Sequence, residues 1–171
     1  MTLLVAIAPE GYRDEELDEP LSVFKRHGIA YDIASTRTET CHGALGGTAQ
    51  ATLKFSDADP VKYEGLVIVG GPGSPAYLWG NRDLAGLVAG FSAAKKLIAA
   101  ICLSPVVLAR AGILKGKNAT VFASPDAVAE MRKGGAVLVN APVVAEGSII
   151  TANGPSAAKA FGEAVAAALK H

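Results

Sequence analysis

The sequence is poor in cysteine and in aromatic residues, and it has no excess of either charge. Its two cysteines, Cys41 and Cys102, form neither a CxxC motif nor a Cys/His cluster at metal-ligand spacing, which argues against structural zinc and against a disulfide scaffold. Lysine plus arginine equals aspartate plus glutamate at 16 each, so no overall field attracts nucleic acid or an anionic membrane. We expect no metal, no cofactor and no nucleic-acid partner.

Long hydrophobic runs are also missing. The apolar stretch at residues 3–8 is too short for a signal segment or a membrane span, and no basic residues precede it. With reduced thiols and no membrane segment, the sequence predicts a cytoplasmic protein that has no membrane partner.

Strand-like and helix-like segments alternate along the chain, which is typical of a parallel sheet with helices on both faces. Strands are predicted at residues 2–8, 29–34, 66–69, 97–101, 119–122, 136–140 and 149–151. Helices are predicted at residues 14–27, 83–94, 105–111, 127–133 and 156–169. Pro20 is expected to kink the first helix or to make its first turn irregular. No linker or repeat divides the chain, so residues 1–171 are predicted to form one doubly wound α/β domain.

Ligands bind such sheets outside the carboxyl ends of the strands. Three loops are expected to converge there: the loop after Ala8, the glycine loop at residues 70–75, and the turn that carries Cys102. The glycines allow backbone N–H groups to approach a reacting oxygen, although a plain tight turn explains them equally well.

Cys102 lies between a buried strand and a helix that Pro105 begins. Unpaired N–H groups at a helix start favour the thiolate, which is the reactive form of cysteine. The alternative is a small core hydrophobe, because free cysteine is among the most buried residue types.

Acidic residues open the first predicted helix. Carboxylates at a helix start interact well with its dipole, and this explains the cluster without any chemistry. A buried carboxyl group from this helix could also keep its proton and donate a hydrogen bond to the Cys102 sulfur. Helical spacing does not decide among Asp14, Glu16 and Asp18.

A cysteine nucleophile usually needs a base, and the chain has three histidines, His27, His42 and His171. His27 ends a helix and His171 ends the sequence, so we expect dipole or solvent positions for both. His42 is the one plausible catalytic imidazole, but nothing in the sequence brings it to Cys102.

Several motifs occur in order along almost the whole chain. They are Glu16 followed by Gly28, Leu66-Val67-Ile68-Val69-Gly70-Gly71, Ala99-Ala100-Ile101-Cys102 with Pro105, Ala111-Gly112-Ile113-Leu114-Lys115-Gly116-Lys117, and Ile150-Thr151-Ala152-Asn153-Gly154-Pro155. In these motifs the chain resembles the ThiJ/PfpI family, a glutamine amidotransferase-like group that includes the parkinsonism-associated protein deglycase and a set of intracellular proteases. The resemblance implies a flavodoxin-like three-layer α/β/α sandwich, mainly parallel, with the cysteine on a strained nucleophile elbow. It also implies a homo-oligomer, usually a dimer.

The resemblance assigns roles to four residues. Cys102 is similar to the family's reactive cysteine, and Glu16 is similar to the acid that hydrogen-bonds it. Gly71 and Leu103 would supply the backbone N–H groups that face the reacting oxygen.

Three positions depart from the family pattern. Leu103 stands where the protease branch has a histidine, and leucine can neither take nor give a proton. Ala76 follows Pro75 where that branch has an acid. Ser124, ahead of Pro125, occupies the place of a histidine that assists aldehyde chemistry in the deglycase branch.

Three functions follow as expectations. The leading one is a stress-protective enzyme that acts on reactive small aldehydes or related carbonyl compounds. The second is a redox sensor or chaperone-like protein that uses reversible oxidation of Cys102. The third, an intracellular peptidase or amidase, is disfavoured by Leu103.

Overall fold

A seven-stranded sheet forms the centre of the computed structural model, which describes residues 1–170. The strands are β1 (Thr2–Ala6), β2 (Glu10–Tyr12), β3 (Ala30–Ser35), β4 (Thr40–Gly43), β5 (Thr48–Gln50), β6 (Leu53–Lys54), β7 (Gly65–Ile68), β8 (Leu97–Ile101), β9 (Asn118–Ala119), β10 (Val137–Leu138), β11 (Val143–Glu146) and β12 (Ile149–Ala152). The helices are α1 (Asp14–Arg26), α2 (Ser74–Tyr77), α3 (Arg82–Ala93), α4 (Pro105–Arg110), α5 (Pro125–Lys133) and α6 (Ala158–Leu169), with 3-10 turns at Phe55–Asp57, Pro60–Lys62 and Pro155–Ala157.

The central sheet has the order β11-β12-β8-β7-β1-β3-β6. Its neighbouring strands are parallel except for β11, which pairs antiparallel with β12. β2, β4 and β5 form a small separate sheet, and β9 pairs with β10. The prediction of a mainly parallel three-layer sandwich is confirmed.

The two faces of the sheet carry separate hydrophobic cores. Side chains of β1 alternate between them, with Leu3 and Val5 on the face covered by α1 and α6, and Leu4 and Ala6 on the face covered by α3, α4 and α5. β7 and β8 are buried along their whole length, as unbroken apolar runs require when both faces are covered.

The first helix runs through Pro20 without interruption and ends at Arg26, and the left-handed Gly28 follows the cap residue His27. Pro20 is buried against α6, where a Cβ on Gly162 would approach the Pro20 Cα to 2.9 Å. Pro20 therefore does not interrupt α1, and whether it kinks the helix stays a prediction.

Two of the predicted strands are much shorter than expected. The segment predicted at residues 119–122 pairs only at Asn118–Ala119, and the one at 136–140 only at Val137–Leu138. Beyond Ala119 the backbone bonds elsewhere, with Thr120 N–H donating to Thr151 Oγ1 and Phe122 N–H to the Cys102 carbonyl. These N–H groups hydrogen-bond to β12 and to the turn that carries Cys102, so they do not extend the strand pairing.

Within residues 1–170, no helix is both long enough and apolar enough to cross a membrane.

Candidate active site

Cys102 lies in a tight turn at the carboxyl end of β8. The turn is closed by the Ser104 N–H, which donates to the Ile101 carbonyl at 3.1 Å. Cys102 has a φ of 65°, a left-handed conformation that is strained for a residue with a side chain. Its own N–H donates to the Ala152 carbonyl at 2.8 Å, which ties the turn to β12. The strained elbow expected from the family resemblance is present, and α4 begins three residues later, at Pro105.

Glu16 is the acid that α1 delivers to this turn. It is fully buried, whereas Asp14 and Asp18 keep part of their surface exposed. Burial raises the pKa of the Glu16 carboxyl to about 7, and the Cys102 thiol and the Gly70 backbone lower it. Neither reaches hydrogen-bond geometry, so both Glu16 oxygens are without a hydrogen-bond partner among residues 1–170. An ionised carboxylate in that position would lack the donors that it needs.

Gly70 and Gly71 let two chain segments approach the thiol. A Cβ at Gly70 would lie 2.6 Å from Glu16 Oε1 and 2.6 Å from Cys102 Cβ, and closer still to the Ile101 carbonyl, so only a hydrogen fits at this position. Gly71 has a φ of +120° and lies against the backbone of Arg13. The Arg13 N–H donates to the Gly70 carbonyl at 2.9 Å, which fixes the glycine loop to the start of α1.

The thiol of Cys102 is 6% exposed and experiences opposing influences. Burial raises its pKa, and the Glu16 carboxyl raises it further, while the N–H groups of Gly71 and Leu103 lower it. The Coulombic part of the Glu16 effect acts only while that carboxyl is ionised. Thiol and acid therefore titrate as a coupled pair, in which the state of one decides the pKa of the other.

Sequence reasoning missed several residues around this pair. Arg13 is bound to Glu15, at 2.9 Å between Nη2 and Oε2, and its charge lowers the pKa of Glu16. The indole of Trp79 donates to the Leu103 carbonyl at 2.8 Å. Ser74 and Ser104 are fully buried and hydrogen-bonded to each other. Loops that follow the strands of such a sheet are where site residues are generally found. No spacing in the sequence, however, distinguishes these particular residues from their neighbours.

The two histidines that the structure describes contact carboxylates other than Glu16. His42 is in β4 and hydrogen-bonds Glu10 at 2.9 Å, with more than half of its side chain exposed. His27 contacts Glu163 at the other end of α1. His171 lies outside the described residues.

Ser124 acts as the N-cap of α5, where its Oγ accepts from the Ala127 N–H at 3.2 Å. This role explains a serine at this position without any aldehyde chemistry.

A cleft of about 470 Å³ opens beside the elbow, at the carboxyl ends of β9, β10 and β12. Phe122, Asn140, Asn153 and Pro155 are among its lining residues, and it has no charged side chain. Phe122 donates its N–H to the Cys102 carbonyl, so the cleft adjoins the turn that carries the thiol. No group of three or more His, Cys, Asp or Glu side chains in residues 1–170 is arranged to hold a metal ion.

Known proteins match the chain over nearly its whole length. A model of the DJ-1/PfpI family matches residues 1–168. An uncharacterized protein from Methanocaldococcus jannaschii is 47% identical over 168 residues, which is 98% of this chain and 82% of that protein. A deglycase from Thermococcus kodakarensis is 28% identical over 152 residues, covering 89% of this chain and 90% of that protein. The crystal structure of a ThiJ/PfpI domain protein from Brachyspira murdochii has a TM-score of 0.95 at 33% identity, over 99% of this chain and 96% of that one.

Proposed function

The chain belongs to the DJ-1/PfpI family, and on that premise we propose that it is a cysteine-dependent enzyme acting on reactive small aldehydes or related carbonyl compounds. One observation carries the proposal: a strained cysteine lies beside a buried carboxyl that has no hydrogen-bond partner among residues 1–170, and two backbone N–H groups lower the pKa of its thiol. The deglycase name of the Thermococcus kodakarensis relative agrees with this chemistry. The cellular role would be protection against carbonyl stress.

Burial and the Glu16 carboxyl raise the pKa of the Cys102 thiol to about 12, against about 7 for Glu16, but we propose that the first proton of the coupled pair is released from sulfur. A carboxylate at Glu16 would place a negative charge on two buried oxygens that lack donors, which is costly. A thiolate at Cys102 would be stabilised by the N–H groups of Gly71 and Leu103, which lower the thiol pKa, and by the O–H of a protonated Glu16. The thiolate with a neutral acid is therefore the better stabilised arrangement, and it provides a nucleophile and a proton donor side by side.

The reaction begins with addition of the thiolate to the aldehyde. The sulfur forms a bond to the carbonyl carbon, the π electron pair moves to oxygen, and Glu16 gives its proton to that oxygen. The Gly71 and Leu103 N–H groups, which lower the thiol pKa, would also stabilise the negative charge that develops on oxygen. The product of this step is a hemithioacetal.

A 2-oxoaldehyde such as methylglyoxal allows the reaction to continue without an oxidant. The Glu16 carboxylate moves the hydrogen of the former aldehyde carbon, as a proton, to the adjacent carbonyl carbon. The hemithioacetal hydroxyl passes its proton to the oxygen of that adjacent carbon, and the product is a thioester of a 2-hydroxy acid. Water then hydrolyses the thioester to a 2-hydroxy acid and frees the thiol. Oxidation of one carbon balances reduction of the other.

The test compares purified wild-type protein with Cys102→Ala and Cys41→Ala on methylglyoxal. Cys41 is the matched control, because it is also a buried free cysteine but belongs to β4, in the small sheet. We expect wild type and Cys41→Ala to form the 2-hydroxy acid and Cys102→Ala to remain at background. Turnover by wild type no faster than by Cys102→Ala contradicts the proposal.

A redox sensor is the second candidate. The two described histidines are bound to Glu10 and Glu163, and oxidation of a thiolate needs no imidazole base. Mild peroxide followed by intact mass distinguishes the two functions: selective oxidation of Cys102 that Glu16→Gln alters, without aldehyde turnover, favours the sensor. A peptidase remains the weakest candidate, because Leu103 and Ala76 provide neither a base nor an acid.

We also propose that the chain forms a homo-oligomer and that it works in the cytoplasm. Both proposals rest on the family resemblance and on the sequence. Light scattering on the purified protein tests the first.

A further inference from the structure

Two tight turns beside Cys102 carry Gly71 and Leu103, whose backbone N–H groups lower the pKa of the Cys102 thiol. The elbow turn is closed by the backbone N–H of Ser104, which donates to the Ile101 carbonyl at 3.1 Å. The turn in the glycine loop is closed in the same way by the N–H of Ser74, which donates to the Gly71 carbonyl at 3.0 Å. A serine therefore occupies the closing position of each turn.

The hydroxyls of these two serines touch. Ser74 Oγ and Ser104 Oγ are 2.6 Å apart, and Ser104 Oγ donates to the Val69 carbonyl at 2.7 Å. A hydroxyl has one proton, so Ser104 has none left for Ser74. The chain of hydrogen bonds has a fixed direction, in which Ser74 donates to Ser104 and Ser104 donates to Val69.

The position of this chain makes it a clamp between the two turns. Val69 directly precedes the glycine loop, and its carbonyl belongs to the peptide that leads into Gly70. Ser104 is thus attached to the strand end before the glycine loop, and Ser74 attaches the loop's far side to the same hydroxyl. Both serines are fully buried, so water does not compete for these bonds.

We infer that Ser74 and Ser104 are positioning residues that hold the backbone of Gly71 and of Leu103 in place beside Cys102. In this inference the two serine hydroxyls do not contact substrate. They act on the thiol through the backbone of the two turns that they hold together. The inference rests on the proposed reactive site, and it concerns the ionisation of the thiol, which can be measured without turnover.

Loss of the clamp should raise the pKa of the Cys102 thiol. N–H donors stabilise the thiolate, so a turn that drifts from the sulfur raises the thiol pKa. A rise of one unit leaves about tenfold less thiolate below the pKa, and the higher intrinsic reactivity of the more basic thiolate offsets part of this loss. The net result is alkylation about threefold slower or more.

The experiment measures iodoacetamide alkylation of Cys102 against pH in Ser104→Ala, Ser74→Ala and the double variant. Ser35→Ala is the matched control, because Ser35 is also fully buried and its Oγ donates to a strand-end carbonyl, that of Ile7, at 2.7 Å. We expect Ser104→Ala to raise the thiol pKa and slow alkylation, Ser74→Ala to do so by a smaller factor, and Ser35→Ala to lower only the melting temperature. The double variant should be no slower than Ser104→Ala alone, since the two hydroxyls act as one unit.

An alkylation profile for Ser104→Ala that matches the Ser35→Ala profile overturns the inference. If Ser104→Ala does not fold, Ser74→Ala decides the question, because it leaves the bond from Ser104 to Val69 in place; an unchanged profile there also overturns it. A raised thiol pKa in a protein without aldehyde turnover would support the clamp and contradict the proposed function, so the two claims fail separately.

Discussion

Glu16 and Cys102 meet across the bare α-carbon of Gly70. The Glu16 oxygen and the Cys102 Cβ each lie 2.6 Å from the place that a Gly70 side chain would occupy. The acid comes from the first helix and the thiol from the end of β8, and no third side chain fits between them. This contact makes the two groups one titrating unit, and most of the predictions below depend on it.

Removing the Glu16 carboxyl should change how stability depends on pH. Burial raises the pKa of Glu16 to about 7, so between about pH 4.5 and 7 the folded protein keeps a proton that the unfolded chain has released. Stability therefore falls as pH rises through this window. Wild type should lose about 3 kcal/mol relative to Glu16→Gln across it.

Urea unfolding at pH 4.5 and pH 7.5 measures this difference. Stability depends on the number of protons that Glu16 and Cys102 bind together. The same pH range is therefore expected whether the carboxyl or the thiol releases the proton. Parallel stability curves for wild type and Glu16→Gln would mean that the carboxyl titrates normally.

A methyl group at Gly71 should disrupt the site. Its Cβ would lie 2.4 Å from the Arg13 nitrogen, at a φ of +120°, so Gly71→Ala should cost at least about 3 kcal/mol and slow the alkylation of Cys102. Gly28→Ala is the control, because Gly28 also has a positive φ but open space around it, and it should cost about 1 kcal/mol. Equal losses in the two variants would show that the close packing of the glycine loop contributes nothing.

The charge of Arg13 should favour the ionised form of the pair. Arg13 lowers the pKa of Glu16, so Arg13→Gln should raise the apparent pKa of the pair and slow Cys102 alkylation about two- to threefold at neutral pH. Arg37→Gln provides the comparison, because Arg37 pairs with a carboxylate two residues on, as Arg13 does, but is 73% exposed. We expect no change there, and high salt should weaken the Arg13 effect.

His42 should be dispensable for the chemistry. Its imidazole hydrogen-bonds Glu10, and both side chains are more than half exposed, so His42→Ala should leave aldehyde turnover and Cys102 alkylation within about twofold of wild type. A tenfold fall in turnover would mean that this imidazole enters the site, from the same subunit or from a second one.

The layout of the sheet and the elbow could be predicted from sequence because their signals are local. The buried strand at residues 97–101 has the predicted bounds, and the next helix begins at Pro105 as predicted, since an apolar run and a proline each act on their own segment. The same reasoning predicted too long a strand at residues 119–122, because backbone N–H groups in this segment donate to Thr151 and Cys102 and not to a neighbouring strand.

The polar surroundings of the thiol could not be predicted in this way. Helical spacing does not show which of Glu16, Asp14 and Asp18 faces Cys102. The burial of Glu16 depends on where α1 meets the glycine loop, which the spacing does not reveal. Ser74 and Ser104 lie on different loops and are joined only by the fold. The family resemblance identified Glu16, whereas the role of the two serines is visible only in the three-dimensional contacts.

The alkylation rate of Cys102 against pH, in wild type and Glu16→Gln, tests the central claim most directly. If a protonated Glu16 donates to the thiolate, wild type should show a thiol pKa below the free value of about 8.5. The weaker amide donor in Glu16→Gln should then raise that pKa. A thiol pKa that falls in Glu16→Gln would show that Glu16 is the ionised member of the pair, and it would contradict the account.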